Sequence, residues 1–285
     1  MSISLHTPTV EDLATVITAV AEWQIEGGPV QLHPGDIGWN QRDGAEAIAA
    51  ALRTWTRDGR IVAVAMTDGD VARIAAAPDL WEDDDLAAAM TADLADPDRG
   101  VLTAGGGAVE ARFGGALSRH LTEAGWTEDE PWTPLHRSLA APVEDSGLRI
   151  EIVGPDDAQL RVDVHKASFD TSTFTLAKWR AMAAGPAYAD ARCLLGYAGE
   201  DAVAAATVWS AGEGRPGLIE PLGGHRDFRG KGYGRGITHA AAAALREMGA
   251  SSVTVCTPSA NTRGVAAYVS AGFTRLPDWR DLRRP

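Results

Sequence analysis

The chain has 285 residues, 45% of them hydrophobic and 23% charged, enough for two domains with cores of ordinary size. Its longest apolar run, Ile61 to Met66, is far too short to cross a bilayer, so no membrane role is expected. The net charge of −13 argues against nucleic acid as a partner, because phosphate binding needs a basic face.

Cys193 and Cys256 are the only cysteines and lack metal-ligand spacing, so neither a disulfide framework nor a metal site is expected. Met1-Ser2-Ile3-Ser4 has no basic region leading into an apolar stretch, and the cytoplasm is the expected address. The charge is unevenly spread. Residues 1–147 hold nine arginines, no lysine and 25 acids, for a net −16. Residues 148–285 hold 17 Lys/Arg and 14 acids, for a net +3. An anionic ligand belongs with the second half.

The halves are related. Pro8 and Pro155, each followed by acids, stand 147 positions apart. Leu121-Thr122-Glu123-Ala124-Gly125-Trp126 lies 147 positions before Tyr268-Val269-Ser270-Ala271-Gly272-Phe273, and Pro78-Asp79-Leu80 lies 148 before Arg226-Asp227-Phe228. Three anchors at nearly one spacing predict a duplicated unit. The seam is expected at residues 142–147, a short Pro/Gly/acid stretch between domains at 1–141 and 148–285.

In the second half the periodicity predicts a helix from Asp156 to Ala167 and another from Leu176 to Ala184, stopped at Gly185-Pro186. Strands are expected at Arg192–Ala198 and Ala202–Ser210, joined by a turn, and at Leu218–Gly223. A glycine-rich loop leads into an alanine-rich helix from about Gly234 to Met248, closed by Gly249. A β-branched strand at Ser252–Thr257 and a short helix at Thr262–Ser270 complete the unit. Strands separated by helices predict an α/β fold with a partly parallel sheet.

The loop, His225 to Gly236, lies between a strand and a helix start. Glycines there admit close approach of a ligand to backbone N–H groups, and the helix N-terminus favours an anion. Arg226, Arg229, Lys231 and Arg235 against Asp227 give it a local +3, suited to a di- or polyphosphate. No Walker loop is present, and a dinucleotide fingerprint would need glycine where Arg235 and Ile237 stand.

Arg229-x-x-Gly232-x-Gly234, followed by Asn261 and then Tyr268-x-x-x-Gly272-Phe273, resembles the signature of the GCN5-related N-acetyltransferases (GNAT) across residues 150 to 275. The resemblance implies two tandem GNAT-like domains, each a mixed, partly parallel twisted sheet flanked by helices. It implies acetyl-CoA as co-substrate, held by Leu222, Gly223, Gly224, Arg229, Gly230, Lys231, Gly232, Tyr233, Gly234 and Arg235. Asn261 would bond the co-substrate or cap the following helix. The thioester arm would lie in a splay between the strands at 218–223 and 252–257, and Pro221, which cannot donate to a ladder, suits a strand unpaired on one side.

By the same resemblance Tyr268 would protonate the departing thiolate and Glu220 would take the amine's proton through a water, serving direct attack by a primary amine. At the matching positions of the first half stand Trp81, Glu82-Asp83-Asp84-Asp85, Gly114 and Leu121, so that domain is expected to keep the fold and bind no CoA. Its acids are expected to cap a helix. His165 and His239 lie in helices and are expected to be structural, with His165, Phe169 and Trp179 as alternative lining of an acceptor pocket. Trp23, Trp39 and Trp55 are open between core and acceptor site. The acceptor is a small-molecule or peptide amine, homodimerisation is left open, and the rival reading is a regulatory protein that binds acyl-CoA without turnover.

Overall fold

The structure, a computed structural model, describes residues 2–284. In chain order its elements begin with β1 (Ile3–His6), α1 (Leu13–Glu22), α2 (Pro34–Asn40), α3 (Ala45–Ala51), β2 (Leu52–Arg57), β3 (Arg60–Asp68) and β4 (Val71–Ala76). Then come α4 (Asp84–Ala95), β5 (Ala108–Glu110), α5 (Ala116–Glu123), β6 (Thr127–Ser138), β7 (Arg149–Ile152), α6 (Ala158–Ser168), α7 (Leu176–Ala183), β8 (Ala191–Ala198) and β9 (Asp201–Trp209). The chain closes with β10 (Gly217–Gly224), α8 (Tyr233–Glu247), β11 (Ser252–Pro258), α9 (Thr262–Ser270), β12 (Thr274–Arg275) and β13 (Trp279–Arg283).

Two compact units result. The first takes the chain up to His33, residues 45–132 and the chain from Asp278 onward; the second takes residues 34–44 and 133–277. The stretch 142–147 expected as a seam therefore lies inside the second unit, and the boundary falls within β6. Each unit has also acquired a segment from the far end of the chain. Periodicity cannot announce that, because packing at long range decides it.

In the first unit β1, β2, β3 and β4 form an antiparallel series, β4 pairs with β5 in parallel, and β13 runs antiparallel between β5 and the start of β6. Trp55, Ile74, Met90 and Leu94 are fully buried in its core. In the second unit β7, β8, β9 and β10 are antiparallel, β10 pairs with β11 in parallel, and β11 neighbours β6. Its core joins Val208, Ile219, Val253 and Val255 of the sheet to Ile237, Ala241 and Leu245 of α8. The element order repeats as the spacing predicts. Short 3-10 turns at Pro78–Leu80 and Arg226–Phe228 precede α4 and α8, and Gly125 and Gly272 follow α5 and α9 with φ of 87° and 82°.

Residues 34–44 join the second unit through a glycine face. An added Cβ at Gly35 or Gly38 of α2 would stand 2.5 or 2.4 Å from the ring of Trp209. Only glycines let α2 lie against that indole.

Three of the four consecutive acids of the first unit, Glu82, Asp83 and Asp84, have structural partners. Asp83 caps α4, accepting from the Leu86 N–H at 2.7 Å, and receives both Nη groups of Arg57 at 2.8 and 2.7 Å. Glu82 accepts from the Gly115 N–H at 2.6 Å, and Arg119 reaches both Glu82 and Asp84. The expected capping role is present at Asp83. The Arg57 fork and the Leu86 N–H hold Asp83 down to about 2, against 3.8 ordinarily. A carboxylate so depressed stabilises the fold above pH ~4, and that contribution is lost as pH falls toward ~2. Asp83→Asn keeps a capping side chain and removes the charge. Melting temperatures measured from pH 5 to pH 2 should fall less steeply in the variant than in the parent, and equal slopes would contradict the assignment.

Candidate functional site

The site begins where β10 leaves its parallel neighbour. Pairing with β11 is confined to Gly217 with Val253 and Leu218 with Thr254. On its other edge β10 stays with β9, from Leu218 opposite Trp209 to Gly224 opposite Ala204, interrupted by a bulge between Ile219 and Leu222. The two parallel strands therefore part after the first residues of β10. Beyond Leu218 and Thr254 the two strands no longer pair with each other, while β11 keeps β6 as its other neighbour. Backbone amides left open inside a protein need hydrogen bonds from elsewhere. An extended ligand carrying its own amides meets that need.

Beyond the parting lies a cleft of about 710 Å³, within the size range of small-molecule sites. Leu222, Gly223 and Gly224 of β10 line one side, and Arg229, Gly230, Gly232, Tyr233 and Gly234 line the turn that enters α8. Gly230 and Gly232 have φ of 81° and 83°, a left-handed backbone that favours glycine. Gly232 is the N-cap of α8 and provides no side-chain cap, so the first N–H groups of a 15-residue helix are available to an anion. A Cβ at Gly224, Gly230, Gly232 or Gly234 would meet nothing within 4 Å. Glycine at Gly224 and Gly234 is thus not demanded by the chain's own packing. Gly223 differs, since its Cβ would stand 2.5 Å from Ser168; there glycine lets the end of α6 pack on β10.

The cations of the loop divide by task. Arg226 donates to the carbonyls of Lys166 and Ala167 at 2.7 and 2.9 Å and pairs with Asp170 at 3.1 Å, satisfying the end of α6. Arg229 donates to the Ser168 carbonyl at 3.3 Å and lines the cleft. Lys231 holds its ammonium 5.3 Å from the centre of the Phe228 ring. Arg235 donates through Nε to Nε2 of His239 at 3.2 Å. Burial, then the charge of Arg137, lowers the pKa of His239, so the imidazole is neutral. Both ring nitrogens face guanidinium groups, Nε2 that of Arg235 at 3.2 Å and Nδ1 that of Arg137 at 3.0 Å, with Glu144 3.4 Å from Nδ1. His239 is structural, as expected, and steadies Arg235.

Tyr268 packs edge-to-face on Phe273 with ring centres 5.3 Å apart. The side chain is half-buried. Burial first, and the charge of Glu220 second, raise the phenol above its ordinary range. The two residues are therefore close enough to feel each other, and the phenol keeps its proton through neutral pH. Glu220 is half-buried at the β10 bulge, where its carbonyl accepts from the Trp209 indole N–H at 2.7 Å. Asn261 caps α9, accepting from the Gly264 N–H at 3.1 Å while its amide donates to Thr257 at 3.0 Å. Of its two expected roles, capping is the one seen.

Sequence reasoning missed Ser168, Val203 and Arg263 of the cleft lining, and placed Phe169 at an acceptor pocket where it lines this cleft. Only Arg263, two residues after Asn261, carried a usable signal, a cation beside a recognised motif. Cys193 is buried against Arg161 and Cys256 lies within β11, neither in a disulfide. Among the described residues no cluster of His, Cys, Asp and Glu could hold a metal, and no helix is long and apolar enough to cross a membrane.

Residues 159–273 match the family model described as Acetyltransferase (GNAT) family. No curated protein matches the sequence. Among solved structures, a tandem GNAT protein from the clavulanic acid biosynthesis pathway, without AcCoA, aligns with a TM-score of 0.61 at 15% identity, covering 99% of this chain and 98% of its own. A GNAT-family acetyltransferase from Colwellia psychrerythraea aligns at 0.59 and 14% over 99% and 98%. A GCN5-related N-acetyltransferase from Sphaerobacter thermophilus aligns at 0.55 and 16% over 99% and 95%. At such identities the likeness is one of fold, and that fold is two tandem GNAT-like units.

The open space at Gly234 makes a two-sided test. Gly234→Ala improves helix propensity by up to ~1 kcal/mol, so the ligand-free protein should melt no lower than the parent. Its methyl group projects toward the cleft, so acetyl-CoA affinity measured by calorimetry should drop about tenfold or more, on the order of one lost hydrogen bond. Unchanged affinity would contradict the placement of a ligand at this turn.

Proposed function

With residues 159–273 a GNAT-family domain, we propose that the chain is an acetyl-CoA-dependent N-acetyltransferase that acetylates a primary amine in its second unit. The observation that carries this reading is the parting of β10 from β11 beside an uncapped helix start. That arrangement turns two diverging strand edges toward an extended thioester arm and oriented N–H groups toward its diphosphate. Arg229, Lys231, Arg235 and Arg263 add positive charge around the same turn.

The chemistry follows from the side chains. A neutral amine attacks the thioester carbonyl, the carbon–sulfur bond breaks, and the thiolate leaves with a proton. Tyr268, held protonated by burial and by Glu220, is the donor of that proton. Glu220, on the same side as the phenol, takes the amine's proton through a water. No covalent enzyme intermediate is needed, because the amine attacks directly and neither Cys193 nor Cys256 lines the cleft. The first unit has carboxylates at the matching turn, engaged by Arg57, Arg119 and Gly115, and contributes fold rather than a second donor site. A regulatory protein that binds acyl-CoA without turnover would need neither the phenol nor the carboxylate beside it.

Release of free CoA in the presence of acetyl-CoA and a broad panel of amines tests the proposal. Tyr268→Phe should lower kcat by about 10²-fold or more and leave the acetyl-CoA Kd within about twofold. Arg229→Glu should abolish acetyl-CoA binding in calorimetry. Intact affinity in Arg229→Glu, or full turnover in Tyr268→Phe, would overturn the corresponding assignment.

A further inference from the structure

Helix α6 places Arg161, His165 and its C-cap Phe169 four residues apart, on one face. Phe169 lines the donor cleft. His165 touches Phe169 and Phe174 at ring distances of 4.7 and 4.8 Å, and Trp39 of α2 stacks on Phe174 at 5.1 Å. At the far end of this face Arg161 is 1% exposed. A buried guanidinium is ordinarily matched by a carboxylate. Among the described residues Arg161 forms no ion pair. Its Nε donates to the Cys193 sulfur at 3.2 Å, its Nη2 reaches the Thr207 hydroxyl at 3.5 Å, and its Nη1 has no partner.

Two more buried polar atoms of the same unit are unpartnered, the indole N–H of Trp179 and the amide oxygen of Gln41, in residues 5% and 4% exposed. The layer continues toward the reacting groups. Tyr188 lies against Trp179 and Trp209 at 6.2 and 6.1 Å, and Trp209 donates to the carbonyl of Glu220. His165 adds no charge, since burial, then Arg161 and Arg42, push it down to about 3. Arg42 stacks over Trp39 at 4.5 Å and Lys178 pairs with Asp43 at 2.8 Å, so those cations are engaged. Tyr188 feels the charge of Arg161 and lies against Trp179, and each of those two residues keeps one unpartnered donor. That set balances a single negative charge rather than a phosphate dianion.

We propose that Arg161 anchors a carboxylate on the acceptor, so that the amine acetylated by this protein belongs to an amino acid-like compound with an apolar body. The inference rests on the acetyltransferase reading above and narrows its acceptor class. An anion there removes the uncompensated charge, and the unpartnered Trp179 N–H supplies a second donor.

The test reads the anion apart from turnover, on the full chain. Acetate, isovalerate and phenylacetate carry the carboxylate without an amine. Isovalerate and phenylacetate should raise the melting temperature of the parent and leave Arg161→Met unmoved, with acetyl-CoA affinity equal in both. In CoA-release assays L-phenylalanine, L-leucine and L-valine should exceed their decarboxylated amines by ~10- to 100-fold in kcat/KM, and that preference should vanish in Arg161→Met. Trp179→Phe keeps a ring and removes the N–H; it should reduce the preference several-fold, and it serves if Arg161→Met does not fold. No response of the parent to any of the acids overturns the proposal, as does equal use of amino acids and their amines. Acid binding through Arg161 with no CoA release from any amine would instead sink the transfer reading and leave the anion site standing.

Discussion

A parallel ladder that stops early governs this molecule. After Leu218 and Thr254, β10 and β11 no longer pair, and backbone groups that a continuous sheet would consume face a cleft instead. The bulge at Glu220 and Pro221 keeps β10 attached to β9 while it leaves β11. The cleft therefore costs the sheet hydrogen bonds on one edge only. Everything assigned to the site depends on that geometry: the phenol of Tyr268, the carboxylate of Glu220 on the departing strand, and the glycine turn at the start of α8.

The two units differ at the turn that leads into the corresponding helix. Both contain a parallel strand pair, a 3-10 turn and a following helix. In the first the turn is filled from within, because Asp83 caps its own helix and Glu82 occupies the Gly115 N–H. In the second no side chain caps α8. A helix start satisfied internally is stabilising and inert; one left open is available to an anion. The acidic balance of the first half is thus a record of fold chemistry, with arginines answering acids locally.

Much of the second unit is legible in the sequence because glycine and proline punctuate it. The turn at Gly199-Glu200-Asp201, the break at Gly185-Pro186 and the stop at Gly249 fix element ends to within a few residues of those observed. The glycine turn and Tyr268 are legible because the motif is local. What escapes is set by packing between distant parts of the chain. Gly35 and Gly38 carry no local signal, and only packing shows that they admit Trp209. Arg226 counts toward the loop's charge in the sequence, whereas it is committed to the end of α6. Arg161 carries no local signal, and only the structure shows it buried without an acid. Trp23 and Trp55 are core residues of the first unit, and Trp39 joins the aromatic face near His165.

Amide hydrogen exchange with and without CoA tests the central assignment most directly, because it reports on the backbone groups themselves. Binding should slow exchange in peptides spanning Ile219–Gly224 and Gly230–Arg235, and leave those spanning Glu82–Leu86 unchanged. Protection at Glu82–Leu86, or at neither place under saturating CoA, would contradict it.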